Sequence, residues 1–345
     1  MTRNRANRPA TGSIGEEDTP MRSNSKRMAA IINATRARAA LACVALATVL
    51  AAPSPARGQE PRVFPTPEDA VRALTDAAKA SNLDALLAIF GADGKDLISS
   101  SDAASARQNR EVFVVAIAEG WRLVDRGEAK ELVIGHENWP FPVPLVKTAA
   151  GWKFDTAAGK EEVLARRIGR NELAAMRISD AYVTAQRLYA RRAHDGKPAG
   201  LYARRFPSAP GTQNGLYWPV KRGEPHSPLG ELVAQAAAEG RELGTGESRV
   251  PFHGYYFRIL EAQGPAAQGG ARDYVVKGEM SGGFALVAWP AQYDATGIMT
   301  FMVNQDGVVY EKDLGPDTAT AVTQITRFDP DKTWQRATTT EEGSR

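Results

Sequence analysis

Three sets of residues in this chain have types and spacings that could do chemistry. The first is an arginine–acid cluster: Arg166-Arg167 with Arg170, Asn171 and Glu172, close behind Asp155 and Glu161. On one helix Arg166 and Arg170 share a face, with Arg167 to one side. Guanidinium forks match carboxylates and phosphates bidentately, so that face could clamp an anion. The ordinary alternative is an ion-pair network between two parts of the fold, the usual fate of such clusters. The second set is aromatic. Trp139, Trp218 and Trp289 each precede a proline, and with Tyr217, Tyr255, Tyr256 and Tyr293 they could line a groove for a sugar chain or an extended peptide. Against this, aromatic residues are used more often for packing, and a proline there simply ends a strand. The third set is the carboxylates Asp155, Glu161 and Glu172, candidates for a hydrolase pair, a chemistry that leaves no motif.

Other chemistries lack their signatures. His136, His194, His226 and His253 are scattered, no pair has metal-ligand spacing, and no H-E-x-x-H occurs. There is no G-x-S-x-G elbow, no P-loop and no dinucleotide fingerprint; Gly91-Ala92-Asp93-Gly94-Lys95 lacks the Walker spacing. No catalytic residue, metal or cofactor is therefore assigned from the sequence.

The elements that must position these residues fall into two groups. Thr66-Pro67-Glu68-Asp69 opens a helix with a capping threonine, a first-turn proline and acids at the positive dipole end. Leu83 to Phe90 reads as a second helix. Ala103 to Trp121 reads as a third, with Val112, Val115, Ile117 and Trp121 facing inward. Strands follow at Glu131–Gly135 and through Trp139–Lys147, whose alternate prolines mark an edge strand or an extended rim. Ala149-Ala150-Gly151 then turns the chain into Trp152–Asp155. Lys160 to about Arg192 is a long helix, supported by the Glu162–Arg166 pair and by Ile178, Ala181, Tyr182, Ala185, Leu188 and Tyr189. A Gly/Pro-rich connector with a helix at Pro228–Glu239 leads to the densest strand signals. Tyr255–Leu260 alternates, and Phe284–Trp289 is an apolar run stopped by Pro290, as suits a buried central strand. Asn304–Gly307 carries an Asp-Gly hairpin turn between Ile298–Val303 and Val308–Lys312. A four-stranded antiparallel meander is expected there, with a short helix near Thr318–Arg327.

The motifs GYYFRIL, GGFALVAWPAQY, TGIMTFMV, DGVVYEKDLG and FDPDKTW, together with WPFPVPLVK, GWKFDTAAGKEEVLARRIGRNE and GLYWPVKRGEPHSPLG, resemble an exported bacterial family catalogued as a domain of unknown function, DUF2950. The resemblance covers nearly all of the chain after the leader and implies no established activity. The helices, hairpins and closing G-W-x-F-D strand of the first half also look like the cone-shaped α+β fold of nuclear-transport-factor-like proteins.

Residues 1–58 differ from the rest. A polar stretch is followed by Arg22, Lys26, Arg27, Arg36 and Arg38, then by the apolar run Ala39–Ala52 and small residues. That is the composition of a secretory signal peptide, with cleavage after Ala56 or Gly58. The apolar core is too short to span a bilayer, so no transmembrane segment is expected after cleavage. Cys43, the single cysteine, belongs to that core, which leaves the remaining chain without thiol chemistry. The full chain carries 43 Lys+Arg and 40 Asp+Glu; nine and three of these lie in residues 1–58, leaving 34 against 37. Nucleic-acid binding loses its electrostatic basis with the leader.

The expectation is thus an exported α+β protein: a leader over 1–58, an N-terminal part over 59–200, a C-terminal part over 201–337 and a tail over 338–345. Its expected place is the periplasm, or outside the cell. Its expected role is non-catalytic binding or envelope assembly, with a cell-wall polymer or another envelope protein as partner. The alternative is a cell-wall or polysaccharide hydrolase.

Overall fold

The computed structural model describes residues 59–98, 103–221, 223–238 and 251–338. The leader, with Cys43 and both cleavage positions, and the tail beyond residue 338 lie outside them.

The chain begins with helices α1 (Pro67–Lys79), α2 (Leu83–Phe90), α3 (Lys95–Ile98) and α4 (Ala103–Glu119). Thr66 caps α1 as expected, its hydroxyl oxygen accepting from Asp69 N at 3.1 Å. Asn82 caps α2 in the same way through Ala85 N. Strands β1 (Trp121–Arg126), β2 (Ala129–Ile134), β3 (Trp139–Pro140), β4 (Leu145–Thr148) and β5 (Gly151–Phe154) form an antiparallel sheet in the order β1-β2-β4-β5, with β3 paired to the end of β2. Phe64 adds a two-way backbone bridge to Trp152 at the far edge.

Two expectations change here. The proline-rich stretch is not an edge strand throughout: β3 pairs with β2 through Val133↔Pro140, the chain crosses over, and β4 lies inside the sheet between β2 and β5. Pro142 and Pro144 fall in the crossover, where no ladder hydrogen bond is required of them. On α4, Ile117 is buried, but Val112 and Val115 are each 62% exposed, and Trp121 begins β1 with its ring half in solvent. Phe113, Ala116 and Ile117, at i, i+3 and i+4, make the face that meets the core, which leaves the two valines outside.

The core of this half is almost purely hydrocarbon and phenyl: Phe64, Val71, Leu74, Leu86, Ile89, Phe90, Leu132, Ile134, Leu145 and Phe154. Phe90, Phe141 and Phe154 meet ring to ring.

Helix α5 (Thr156–Ala190, 35 residues) then runs about 50 Å and joins this core to a second one. It starts four residues before the sequence reading, because Asp155 ends β5's extension and caps the helix, accepting from Ala158 N at 3.1 Å. Thr156 donates to Phe90 O at 2.6 Å, and Gly159 lies so near Val143 that a Cβ there would come within 2.6 Å of its side chain. Beyond Ile168 the same helix packs across a second sheet.

That sheet runs β14-β13-β12-β11-β6, from β6 (Tyr255–Leu260), β11 (Ala285–Pro290), β12 (Met299–Asn304), β13 (Tyr310–Asp313) and β14 (Gln335–Arg336), all antiparallel. Between β6 and β11 lie two small ribbons, β7 (Ala262–Gln263) with β8 (Arg272–Asp273), and β9 (Val275–Val276) with β10 (Glu279–Met280). The expected four-strand meander is present, and its central strand β11 is buried at all six positions. Gly307 adopts φ +79° at the Asp-Gly turn, where a Cβ would be strained. Helix α6 (Gly230–Ala238) and the short α7 (Thr318–Ala321) complete the described α-helices. The fold is α+β, and the described residues form one compact unit that contains both cores.

Candidate functional site

The second core holds polar side chains, and α5 supplies Tyr182 and Gln186 among them. Tyr182 donates to Ala285 O at 3.1 Å. The Gln186 amide donates to Tyr182 Oη and to Ala203 O, while its carbonyl accepts from Ala203 N at 2.9 Å. One fully buried glutamine thereby fixes the segment that leaves the helix. Arg191 closes α5, and His194–Lys197 fold back in a tight turn with Asp195 at φ 49° and Gly196 at φ 77°.

This return builds a cavity of about 360 Å³ at the C-terminal end of α5, bounded by Tyr189, Arg192, His194, Asp195, Lys197, Tyr202, Arg204, Arg205, Asn214, Glu261 and Glu279 among others. Its inner wall is aromatic. The His194 ring stacks on Tyr189 at 4.0 Å and meets Trp218 edge-on at 5.6 Å. His194 Nε2 donates to Tyr189 O at 2.9 Å, and Nδ1 faces the Gln213 side-chain amide at 3.2 Å. Tyr189 itself donates to Gln213 O. Burial, reinforced by the Asp195 and Glu279 carboxylates, pushes its phenol up to about 12.

The rim is ionic and already partly committed. Arg204 forks onto Glu261 through Nε at 2.8 Å and Nη2 at 3.0 Å, a contact that raises the guanidinium pKa further. Lys197 pairs with Glu279 at 2.9 Å. Both Asp195 oxygens accept from Gln213 N. Two cations remain: the Arg192 and Arg205 side chains have no hydrogen bond or ion pair among the described residues. The cavity therefore offers two free guanidinium forks beside three carboxylates that are each held in place.

The sequence candidates are dispersed along the fold. Arg166 is tied, with Nε to Glu162 at 2.8 Å, Nη1 to Pro140 O at 2.8 Å, and its plane 5.4 Å over the Trp139 ring. Arg167 and Arg170 are exposed and make no ion pair among the described residues. Asn171 donates to Thr296 O at 2.8 Å, and Glu172 Oε1 accepts from Ile298 N and Met299 N at 2.9 and 3.0 Å. These two lock α5 to the loop entering β12 and do not face a ligand. Asp155 is a helix cap.

Of the three carboxylates proposed as hydrolase partners, Glu172 is too far from the other two, and Asp155 and Glu161, about 9 Å apart along the axis, are turned about 120° from each other around the helix, with Asp155 held as its cap. Asp155 and Glu172 are separated by 17 positions of one helix, about 25 Å along its axis, and Glu161 lies about 16 Å from Glu172 by the same rise. Glycoside hydrolysis needs two carboxyls about 5–10 Å apart.

The aromatic groove does not assemble either. Tyr255 and Trp289 are buried on opposite faces of the sheet: Tyr255 packs with Ala175 and Met176 of α5 and donates to Met299 O, and Trp289 lies beside Tyr256 and under the Arg258 guanidinium. Trp218 packs against the second core, and Trp139 lies at the surface of the first half.

The cavity residues come from four separate segments, so no local motif marks them. The available signal was a pair of double arginines, Arg191-Arg192 and Arg204-Arg205, bracketing a turn with His194-Asp195-Gly196-Lys197. Among the described residues no group of three His, Cys, Asp or Glu is placed to hold a metal ion, and no helix is long and apolar enough to cross a membrane.

A family model described as a protein of unknown function (DUF2950) matches residues 61–337. No curated protein matches the chain, and no solved structure matches it.

Proposed function

The chain belongs to the DUF2950 family, and from that premise we propose that it is an exported, non-catalytic binding protein of the cell envelope whose α5-end cavity takes an acidic polymer. The observation that carries this reading is the pair of uncommitted guanidinium groups, Arg192 and Arg205, at the rim of a cavity whose acids already have partners. Guanidinium forks take carboxylate or phosphate groups bidentately. The fixed oxygens of Asp195 and Glu279 can accept from hydroxyl or amide hydrogens beside such a group. A cavity of about 360 Å³ suits one or two sugar units. Export rests on the basic and apolar leader, and the periplasm is the compartment it indicates.

A hydrolase is the competing idea. It is disfavoured by the distance of Glu172 from Asp155 and Glu161, by the capping role of Asp155, and by the partnered state of the cavity acids.

Co-sedimentation of the purified protein with cell-wall sacculi tests the proposal. Binding that weakens with salt and falls about 10- to 100-fold in Arg192→Ala/Arg205→Ala is expected, the range for losing hydrogen bonds to charged groups. Undiminished binding by that variant would remove the cavity as the site. No sedimentation of folded wild-type protein would remove the wall polymer as the ligand.

A further inference from the structure

Two surface features meet where Arg166 of α5 stacks over Trp139. The first is a groove of about 380 Å³ between α4 and the end of β2, with Val112, Val115, Ala116, Ile134 and Trp139 as its apolar lining. The valines are 62% exposed and Trp139 44%, so a run of hydrocarbon lies open to water. Gly135 sits at its base with φ +71°; a Cβ there would come within 3.1 Å of Glu119 Oε2 and 3.5 Å of Ala116, so only glycine lets the strand end approach α4 this closely. The charged residues lining the groove are all acids: Glu111, Glu119 and Glu137. Glu111 and Glu119 stand eight residues apart on α4, about 12 Å. Arg122, nearby, is held by Asn138.

The second feature is a stripe on α5. Arg166, Arg170, Leu173 and Arg177 fall at i, i+4, i+7 and i+11, one line along the helix. Arg170 and Arg177 are exposed without an ion pair among the described residues, and Leu173 between them is 39% exposed. Arg170 and Arg177 are about 10 Å apart. Asp180, one turn on, ends the basic run. Arg166, stacked over Trp139, joins stripe to groove.

Together the two features give an acidic, apolar end and a basic, apolar end with matching spacing. A surface of that kind is self-complementary, because a two-fold axis between two copies lays each end on its opposite. We propose that two copies of this chain form a two-fold dimer, the Arg170–Leu173–Arg177 stripe of each seated in the acid-rimmed groove of the other. Leu173 fills the space beside Val112 and Val115, and Arg170 and Arg177 reach the glutamates. This contact is independent of the α5-end cavity and leaves Arg192 and Arg205 free.

Sedimentation velocity on the protein produced from the full chain tests it, with two charge-reversal variants. Glu111→Arg/Glu137→Arg makes both ends basic, and Arg170→Glu/Arg177→Glu makes both acidic; neither pair includes a residue with a described structural partner. Wild type is expected to dimerise with concentration, at least about 10-fold more weakly in 500 mM than in 50 mM salt, because charge pairs at a surface are screened. Each variant alone is expected to be monomeric with an unchanged circular dichroism spectrum, and an equimolar mixture of the two to recover the dimer. A wild type that stays monomeric would overturn the proposal. So would variants that dimerise alone as wild type does, or a mixture that fails to recover.

Discussion

The two cores of this chain are built from different chemistry. The first, under α1, α2 and the β1–β5 sheet, is hydrocarbon and phenyl, and its buried polar group is Thr156 at the entry of α5. The second holds Gln186, Gln263, Asn304, His194 and the hydroxyls of Tyr182 and Tyr274, most of them hydrogen-bonded to backbone or to one another. All nine tyrosines of the chain lie at or beyond position 182. A hydrocarbon core is held by burial, which has no direction and tolerates small shifts. A core of partnered amides and phenols fixes particular atoms, and leaving one partner alone is costly. The second core is thus the one that can position a cavity rim; the first supplies bulk and an outer surface.

The strongest way to break that contrast is a matched pair of substitutions. Gln186→Leu leaves Tyr182 Oη and both backbone groups of Ala203 short of a partner, and should cost roughly 4 kcal/mol in urea unfolding. Phe154→Leu, as deeply buried in the first core, should cost only about 1 kcal/mol, since its neighbours are apolar and can close in. Equal costs would erase the distinction.

Alkaline pH should separate the halves next. Burial raises the phenols of Tyr189 and Tyr274 to about 12, and raises Tyr182 and Tyr255 as well. A tyrosine whose folded pKa lies above its unfolded value of about 10 stabilises the fold fully below that pH, and the contribution is lost as pH climbs through the folded value. Between about pH 10 and 12, amide exchange should therefore rise in β6, β11 and β12 before it rises in β2, β4 and β5. The reverse order would contradict the phenol argument.

The smallest effect is a gain. Gly169 sits in α5 between the cores, and a Cβ there would meet nothing within 4 Å. Gly169→Ala should add about 0.5–1 kcal/mol by removing freedom from the unfolded chain and improving helix propensity. A loss would mean that a contact covers this part of the helix.

How much of this was legible follows from how local each signal was. The Thr66 cap, the buried β11 run and the Asp306-Gly307 turn are each set by a few neighbouring residues, and all were readable. The start of α5 was read late because Asp155 follows directly on a strand and its capping role is a matter of geometry. The faces of α4 were misread because Val112 to Ala118 is apolar at every position, so periodicity there carries no direction. The cavity was invisible because Arg192, Arg205, Glu261 and Glu279 meet only through the fold. The candidates around Arg166–Glu172 do lie together in sequence, and the structure commits Arg166, Asn171 and Glu172 to holding the halves in place.

The unbroken run of α5 also sets a rule for how the gene can change length. Adding one residue between Gly159 and Ala174 would turn everything beyond it by about 100° and move it by about 1.5 Å. An insertion before Arg166 would carry it away from Pro140, and one after Asn171 would separate Asn171 from Thr296. Seven residues, close to two full turns, would restore the angle while lengthening the molecule by about 10 Å. Insertions and deletions in this stretch should therefore be tolerated only in steps near whole turns, while the turn after His194 is free of that arithmetic.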